Sequence, residues 1–266
     1  MKRQRKYRKG EMLYGYLFAM PAILGFVLFM LGPMIASFLL SFTDYNIANK
    51  PSFIGLQNYV HLFDGTDPFF YKSLTASSYY VLLFVPLSIA FSFFWAILLT
   101  KINLLRSVFR TIFYIPAVVP IVASSVIWMW LFNPDLGVIN AALKGLGLPT
   151  SQWFYAESTV IPSLVLMAIW MTGNTMIIFL AGLQGIPEHY YEAIIVDGGN
   201  AFHRLRFITV PLMTPTIFFN LIIGIITALQ SFEPAFIITQ GGPNNRSLFF
   251  VYYLYREAFT NTRMAY

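Results

Sequence analysis

Five long stretches of the chain contain no Asp, Glu, Lys or Arg and are rich in large apolar side chains. They are residues 12–43, 73–100, 111–134, 158–187 and 207–232. A helix needs about 20 mostly apolar residues to cross the hydrocarbon core of a bilayer, so each stretch can hold one span. The pattern predicts a single membrane domain over 1–266, with helical spans near 12–41, 75–100, 109–132, 159–183 and 212–232.

The composition supports lipid as the natural solvent. Of the 266 residues, 58% are hydrophobic and 11% are charged, whereas soluble proteins carry about 25% charged residues. This balance excludes a disordered chain, a nucleic-acid-binding module and most cytosolic enzymes. The chain has no cysteine, so disulfides and cysteine metal sites are excluded as well. The first apolar stretch is longer than the h-region of a signal peptide, about 7–15 residues, and is expected to be retained.

The placement of basic residues predicts the orientation. Six of the 17 Lys and Arg residues lie in the first nine positions. If the N-terminus is cytoplasmic, the inner segments hold eleven basic residues and the outer segments six, as the positive-inside rule favours. Five spans then leave the last residues outside, where the aromatic segment 247–266 is expected to form an interfacial helix.

Prolines interrupt several of the apolar stretches. Each can be an ordinary packing kink, because neighbouring helices or cavity water can satisfy the carbonyl groups that proline leaves free. Together they favour an all-α helix bundle with a cavity over a simple membrane anchor. They are Pro21, Pro33, Pro86, Pro116, Pro120, Pro162 and Pro215.

The loop 184–211 is unusually rich in charged residues for this chain. Pro187 suits the first position of a helix, and the following Glu188 suits the positive end of the helix dipole. Gly198 and the glycine after it can supply a left-handed C-terminal turn. Asn200 can cap a second short helix that ends before Pro211. The loop is therefore predicted to form a helix–turn–helix on the cytoplasmic membrane surface.

The first helix of this loop has two different faces. Tyr191, Ile194 and Ile195 fall on one face. Glu188 and Glu192 fall on another, where an acidic pair four residues apart suits a basic partner. A solvated amphipathic helix lying on lipid headgroups explains the same pattern equally well.

The loop resembles the cytoplasmic signature of binding-protein-dependent ABC importer permeases. That signature reads Glu-Ala-Ala, three residues, Gly, nine residues and Ile-x-Leu-Pro. The chain has Glu192-Ala193-Ile194, Asp197-Gly198 and Ile208-Thr209-Val210-Pro211 at the same spacing. Gly199 stands where the carbohydrate branch of the family usually has alanine.

Further motifs of that branch occur along the chain. Together they make the chain similar to sugar permeases of the maltose-uptake type over nearly its whole length. They are Gly55-Leu56-Gln57-Asn58-Tyr59, Phe109-Arg110-Thr111, the run 128–134 with Gly137 and Asn140, the run 178–187, and Thr239-Gln240-Gly241-Gly242-Pro243.

The resemblance implies the helix bundle of a type I ABC importer permease in a bacterial or archaeal cytoplasmic membrane. Such permeases usually have six spans and end inside the cell. Here the similarity breaks off at Met264-Ala265-Tyr266, where the last span would start, so a truncated chain is expected.

The resemblance also implies the partners: a second, homologous permease, two cytoplasmic ATPases, and an external solute-binding protein that delivers a sugar or oligosaccharide. The helix 187–197 would dock on one ATPase, with Tyr191 and Ile194 pressed into its groove and Glu192 in a charge-assisted contact. The chain lacks a phosphate-binding loop, so ATP and magnesium would bind to the ATPase, and no cofactor, metal or catalytic residue is expected here. The residues expected to couple to the ATPase are Tyr191, Glu192, Ala193, Ile194, Asp197, Gly198, Gly199, Ile208 and Pro211.

Polar and aromatic residues within the apolar stretches are candidates for the substrate pathway. Asn174, Asn220 and Gln230 can match sugar hydroxyls, and Trp170 can stack on a sugar ring. The amides can equally serve as hydrogen bonds between helices. Glu233 is an ionisable residue late in a span, but about 31 Å of helix separates it from Leu212, so solvation at the outer interface explains it equally well.

Two other functions deserve comparison. An ion-coupled secondary carrier usually needs buried ionisable groups, and the five stretches are free of charge. A membrane enzyme is disfavoured because His61, His189 and His203 lie in separate or mismatched positions without metal-ligand spacing.

Overall fold

The computed structural model describes residues 9–46, 49–102 and 106–266. The basic residues before Lys9, on which the predicted orientation partly depends, lie outside the described residues. The packing of the described residues falls into two compact units. One comprises the residues up to Asp67 together with Tyr255–Tyr266, and the other comprises Pro68–Leu254.

The first unit begins with a long apolar helix. It consists of α1 (Lys9–Phe26), a π-helical turn (Val27–Leu31) and α2 (Gly32–Leu40). Residues Met12–Leu40 contain an 18-residue stretch with a mean hydropathy of 2.4 and are long enough to cross a membrane. The wider π turn directly precedes Pro33, whose ring clashes with the carbonyl four residues earlier in a regular α-helix and which has no N–H to donate. The chain therefore passes this proline without a break.

A short loop structure follows, and it explains one of the sequence motifs. Gly55 has φ +62, which favours glycine, and α3 (Gln57–Phe63) starts two residues later. The Asn58 side-chain amide donates to the carbonyl oxygens of Ser41 and Thr43 at 2.8 and 2.9 Å. The hydroxyls of Tyr59 and Ser41 are 2.7 Å apart. The Gly-Leu-x-Asn-Tyr motif therefore fixes the chain that leaves the first helix.

The second unit is organised around one long helix. In chain order its helices are α4 (Pro68–Lys101), α5 (Arg106–Val118), α6 (Ile121–Leu131), α7 (Val138–Gly145), α8 (Val160–Trp170), α9 (Gly173–Gln184), α10 (Glu188–Val196), α11 (Ala201–Arg204) and α12 (Val210–Leu229). Helices α8, α9 and α12 pack along α4. A last helix, α13 (Phe250–Tyr255), begins in this unit.

Small side chains on α4 make this packing close. Ser73, Ser77, Ser88 and Ser92 are all buried. The hydroxyls of Ser73 and Ser88 donate to the carbonyls of Phe70 and Val85, so they need no partner on another helix. Small residues of this kind let membrane helices approach one another closely.

Two apolar clusters hold opposite ends of α4. Near its start, Ala76 and Tyr80 pack with Val160 of α8 and with Phe249. Near its end, Ala96 and Leu99 pack with α9 and α12 through residues that include Phe179, Leu183 and Met213. Ala76 and Leu99 are about 35 Å apart along a helix that rises about 1.5 Å per residue, so the clusters define two ends of the unit.

Two of the predicted spans are bent pairs of helices. Ser107–Val118 and Ile121–Leu131, in the predicted span 109–132, meet at 100°. Pro120 has an extended backbone there and no N–H to continue the helix. Val160–Trp170 and Gly173–Gln184, in the predicted span 159–183, meet at 52°. Here the Thr172 hydroxyl bonds to the Ile169 carbonyl at 2.7 Å, which competes with the regular helical hydrogen bond.

The prediction that the second short helix ends before Pro211 is wrong. Helix α11, a π-helical turn (Leu205–Thr209) and α12 form one helix over Ala201–Leu229, which is long and apolar enough to cross a membrane. The π turn lies just before Pro211 and widens the helix where that proline cannot donate. The predicted span 212–232 therefore starts within the charged loop and ends at Leu229.

The aromatic segment 247–266 forms α13 followed by a π-helical turn (Arg256–Thr260). Tyr253 and Glu257 are buried. The Glu257 carboxylate accepts a hydrogen bond from the Asn261 amide at 2.9 Å and lies 3.7 Å from the Arg263 guanidinium. A helix that simply rests on lipid headgroups would leave this carboxylate exposed. The burial of Glu257 is therefore a feature that the predicted interfacial helix does not explain.

Candidate functional site

The charged loop forms a compact elbow, defined here as residues 187–200, between α9 and the helix that begins at Ala201. Pro187 is extended, with φ −62 and ψ 137, and starts α10 as predicted. Glu188 lies in the first turn of α10, where the helix dipole favours a negative charge. The elbow lies at the end of the unit where Leu183 and Met213 pack against α4.

The exit from α10 is a Schellman motif. Gly198 has φ +79, its N–H donates to the Ile195 carbonyl, and the Gly199 N–H donates to the Ile194 carbonyl at 2.7 Å. The predicted left-handed turn at the two glycines is confirmed. A Cβ added at Gly199 would lie 2.7 Å from both Cγ1 and the carbonyl oxygen of Ile194, so this position has no room for the alanine usual in the carbohydrate branch.

The next helix starts with a capping box. The Asn200 side-chain oxygen accepts from the His203 N–H at 3.0 Å, and His203 Nδ1 accepts from the Asn200 N–H at 3.3 Å. The predicted cap at Asn200 is confirmed. Both ends of the turn are therefore fixed by hydrogen bonds, which makes the elbow a rigid connection rather than a loose loop.

A side-chain contact ties α10 to the base of α12. The Tyr191 hydroxyl lies 3.1 Å from the Thr209 hydroxyl. Thr209 is buried and its hydroxyl also donates to the Arg204 carbonyl at 3.2 Å. Ile208, the first residue of the Ile-x-Leu-Pro element, is buried beside it. The residue just before the Glu-Ala-Ala element thus contacts the Ile-x-Leu-Pro element in the folded chain.

The exposed face of α10 differs from the one that the sequence suggested for docking. Tyr191 and Ile194 are half-buried against their own chain. Ile195 and Val196 are 54% and 87% exposed, and Glu192 is exposed beside them. We name Glu188, Glu192, Ile195 and Val196 the outer face of α10. Within the described residues, neither carboxylate of this face has an ion-pair partner.

Ala193 and Asp197 are also exposed, and Pro211 lies at the start of α12. The structure therefore places the predicted coupling residues in the elbow and, for Ile208 and Pro211, in the helix that follows it. It divides them between an inner set that shapes the elbow and an outer set that faces away from the chain.

The predicted pathway residues are more scattered. Trp170 packs edge-on against Trp128, with ring centroids 5.8 Å apart. It lines a small cavity of about 140 Å³ at the bend between α8 and α9, together with residues that include Trp95 and Phe113. Asn174, which lies past the bend at the start of α9, is exposed.

The other three pathway candidates lie along and beyond α12. Asn220 is buried, but its amide donates to the Thr216 carbonyl of its own helix at 2.9 Å. Gln230 is the exposed C-cap of α12. Glu233 is exposed and lies beyond Ala201–Leu229, the helix that is long and apolar enough to cross a membrane.

One buried polar residue was present in a sequence motif without an assigned role. Asn140 is 2% exposed, and its amide donates to the carbonyls of Pro134 and Ser151, both at 2.9 Å. Its side-chain oxygen accepts from Trp153 Nε1 at 2.9 Å. An asparagine next to a short loop is a candidate for hydrogen bonds that hold the loop in place. Only the fold shows that its partners are Pro134, Ser151 and Trp153.

Comparison with known proteins agrees with this architecture. Residues 88–251 match the family described as the binding-protein-dependent transport system inner membrane component. The probable ABC transporter permease protein YesP of Bacillus subtilis is 40% identical over 270 residues, which cover 100% of this chain and 86% of YesP. The trehalose/maltose transport system permease protein MalF of Thermococcus litoralis is 31% identical, over 90% of this chain and 80% of MalF.

A solved structure shares the fold. The bacterial alginate ABC transporter, crystallised with an alginate pentasaccharide-bound periplasmic protein, includes a chain that matches with a TM-score of 0.84 and 24% identity. The match covers 99% of this chain and 89% of that chain.

The chain therefore belongs to the binding-protein-dependent transport system inner membrane components, the permease subunits of ABC importers. It is a multi-pass membrane protein and a transport component rather than an enzyme. The predicted fold class, an all-α polytopic bundle of the type I importer kind, is confirmed.

Proposed function

We propose that this permease forms half of the translocation pathway of an ATP-driven importer for a sugar or oligosaccharide. Several relatives are named for such substrates, including the trehalose/maltose permease and an arabinooligosaccharide permease of Bacillus subtilis that is 31% identical. The other half would be a second, homologous permease. An external solute-binding protein would deliver the sugar, and the N-terminus would face the cytoplasm of a bacterial or archaeal cell.

We propose that the elbow couples the permease to one of two cytoplasmic ATPase subunits. The outer face of α10 offers two acidic groups and two exposed apolar side chains on a short helix. A carboxylate next to exposed apolar groups suits a groove that has apolar walls and a basic residue at its edge. Glu192, Ile195 and Val196 would occupy this groove. Tyr191 and Ile194 would instead hold the helix to the rest of the permease.

The observation that carries this proposal is the rigid link from α10 to α12. The Schellman turn, the capping box and the contact between Tyr191 and Thr209 leave α10 little freedom to move alone. A movement of the ATPase would therefore be passed to α12 as a rigid-body displacement. ATP binding would close the ATPases and turn the pathway outward, and hydrolysis would reset it. The ATP and its magnesium ion would be held by the ATPases.

For the pathway, we keep Trp170, Asn174, Asn220, Gln230 and Glu233 as candidate sugar contacts. Trp170 is supported by the cavity that it lines at the bend of α8 and α9. Asn220 is supported by its burial in α12, the helix that the elbow would move.

The coupling role can be tested with two variants of the outer face, Glu192→Lys and Val196→Asp, in the assembled transporter. We expect loss of ATPase copurification and of vanadate-sensitive sugar uptake, because each change places an unfavourable charge in the proposed contact. Lys144→Glu, an exposed charge reversal in α7, is the control and should leave both measurements unchanged.

If ATPase assembly and uptake both survive the two outer-face changes, the docking role is wrong. Uptake that persists without ATP and stops when an ion gradient is collapsed would instead support an ion-coupled secondary carrier.

A further inference from the structure

A second, larger cavity lies at the start of α4. Its volume is about 730 Å³, within the range of small-molecule sites, which is roughly 300–1,000 Å³. It is lined by the first three turns of α4, by residues just before and within α8, and by the loop 244–246. All of these segments belong to the second unit, so the cavity is a feature of one compact body.

The cavity and the elbow lie at opposite ends of this unit. Ala76 lines the cavity and belongs to the apolar cluster near the start of α4. Leu99 packs with Leu183 at the other end, beside the elbow. The length of α4 separates the two sites. If the elbow faces the cytoplasm, as proposed above, the cavity opens at the outer mouth of the permease.

The charged groups of the cavity favour an anion. Lys72 lines it, and the described residues include no ion-pair partner for its ammonium group. Arg246 lies 4.0 Å from the Glu157 carboxylate, and the two side chains are 60% and 52% exposed. An ion pair at this distance between two exposed side chains is weak. It therefore leaves the guanidinium available to another acceptor. The cavity therefore carries two cations against one carboxylate.

Aromatic rings stand beside these cations. Tyr71 and Tyr79 line the same cavity, and each is 46% exposed. They lie two turns apart on one face of α4, about 12 Å along the helix axis. Half-exposed phenol rings offer an apolar face and a polar tip, the combination that a sugar ring with its hydroxyl groups can use.

The loop that carries Arg246 is held in a constrained conformation. Asn244 and Asn245 have φ +47 and +58, a left-handed region in which asparagine is more common than most residues. The buried Ser247 hydroxyl lies 2.6 Å from both the Thr239 hydroxyl and the Gly242 carbonyl. Strained backbone of this kind persists only where surrounding contacts maintain it, and it is concentrated at functional sites. Arg246 is therefore presented to the cavity by a fixed loop.

We propose that this cavity is a subsite for an acidic sugar residue at the outer mouth of the pathway. This inference rests on the proposed function and narrows it to oligosaccharides that contain a uronate. The carboxylate of the sugar would bind between Lys72 and Arg246, and its ring would lie against Tyr71 or Tyr79. A neutral sugar would gain only the aromatic contact, so the cations would select for the acid.

The test is a binding measurement on the assembled transporter in lipid nanodiscs, without the external binding protein. The probes are a digalacturonate and its dimethyl ester, which has the same skeleton without the charge. We expect the acid to bind more tightly than the ester, and the preference to fall about tenfold in Lys72→Gln and in Arg246→Gln, because each variant removes one charge-assisted contact. Raising the salt concentration should weaken binding of the acid and leave that of the ester unchanged.

Lys72→Arg keeps the charge and should keep the preference, and Lys144→Gln is the control for a lysine outside the cavity. Copurification of the ATPases in normal amounts shows that each variant is folded. The proposal is overturned if the acid and the ester bind equally, or if the two variants weaken both probes to the same extent. An equal loss for both probes would indicate that the two residues act through packing and not through charge.

The same variants, reconstituted in proteoliposomes with the external binding protein, separate this inference from the proposed function. Vanadate-sensitive uptake of a neutral oligosaccharide without any acid preference would retain the importer and reject the subsite. Absence of ATP-dependent uptake of every sugar would reject the importer, whatever the binding measurement shows.

Discussion

The hydroxyl groups of Tyr191 and Thr209 meet at 3.1 Å and join the residue just before the Glu-Ala-Ala element to the Ile-x-Leu-Pro element. Tyr191 lies on α10, beside the Glu-Ala-Ala element, and Thr209 lies inside the Ile-x-Leu-Pro element. The long gap between these elements is the chain needed for the turn and the first turns of the next helix. The spacing between the two elements is therefore set by the length of chain that this turn and the start of the next helix require.

Removing this hydroxyl contact should loosen the elbow without unfolding the protein. For Tyr191→Phe we expect the free energy of unfolding to fall by about 0.5–1.5 kcal/mol, because one half-buried hydrogen bond is lost while the ring keeps its packing. The functional effect should be ATP hydrolysis with less sugar transported per ATP. Uptake and hydrolysis are measured together in proteoliposomes.

The matched variant is Thr209→Val, and the double variant closes a cycle. If the effects of the two single variants add fully in the double variant, the hydroxyls do not interact and the link is disproved. Tyr190→Phe, which changes a neighbouring exposed tyrosine, should have little effect.

The two glycines of the elbow should respond differently to alanine. At Gly198 a Cβ has open space but φ is +79, so the cost is the backbone preference of roughly 1–2 kcal/mol. At Gly199 the Cβ would lie 2.7 Å from the carbonyl oxygen of Ile194, and the Schellman turn itself must shift. We therefore expect Gly199→Ala to impair uptake more than Gly198→Ala.

Gly198→Asn should be milder than Gly198→Ala, because asparagine tolerates the left-handed region better. Uptake and ATPase copurification are the measurements. An equal or opposite order of the two alanine variants would show that the close approach at Gly199 is not what fixes the turn.

The bend between α8 and α9 depends on a close approach of two backbones. A Cβ added at Gly173 would lie 2.6 Å from the Phe113 carbonyl oxygen and 2.9 Å from Tyr114 Cα, both in α5. Gly173→Ala should therefore destabilise the permease by about 1–3 kcal/mol through overpacking. Gly145→Ala is the control, since a Cβ there meets nothing within 4 Å. Thermal stability followed by size-exclusion chromatography should separate them, and equal midpoints would contradict the prediction.

Substitution of Asn140 should destabilise the second unit more than substitution of any other amide side chain in it. Asn140→Ala removes the acceptor of Trp153 Nε1 and the donor to two carbonyls, all in a buried site. Each unsatisfied buried group costs about 1–3 kcal/mol, so the variant should lower the unfolding midpoint clearly. Asn140→Asp should fail to rescue, because a carboxylate cannot donate to Pro134 and Ser151.

Gln152→Ala, at an exposed position near this site, should behave like the unmodified protein. A midpoint for Asn140→Ala that matches Gln152→Ala would show that the hydrogen bonds of Asn140 do not stabilise the loop.

Several features of this permease follow from the sequence alone. Apolar stretches long enough to cross a bilayer, and the near absence of charge within them, determine a helical membrane protein, because hydrocarbon cannot solvate ions or an unpaired backbone. The glycines at 198 and 199 and Asn200 determine the turn, because backbone conformation and capping depend on local chemistry. The spacing around Glu192 was specific enough to indicate the family.

Only the tertiary structure decided which side chains face outward and where the spans bend or begin. Helical periodicity placed Tyr191 and Ile194 on an apolar face, but their burial depends on Thr209 and Gly199, which come later in the chain. The continuation of the helix through Pro211 required a π turn, and hydropathy is insensitive to that geometry. The larger cavity joins the start of α4 to residues near 157 and 246, because packing of the helices brings together segments that are distant in the sequence.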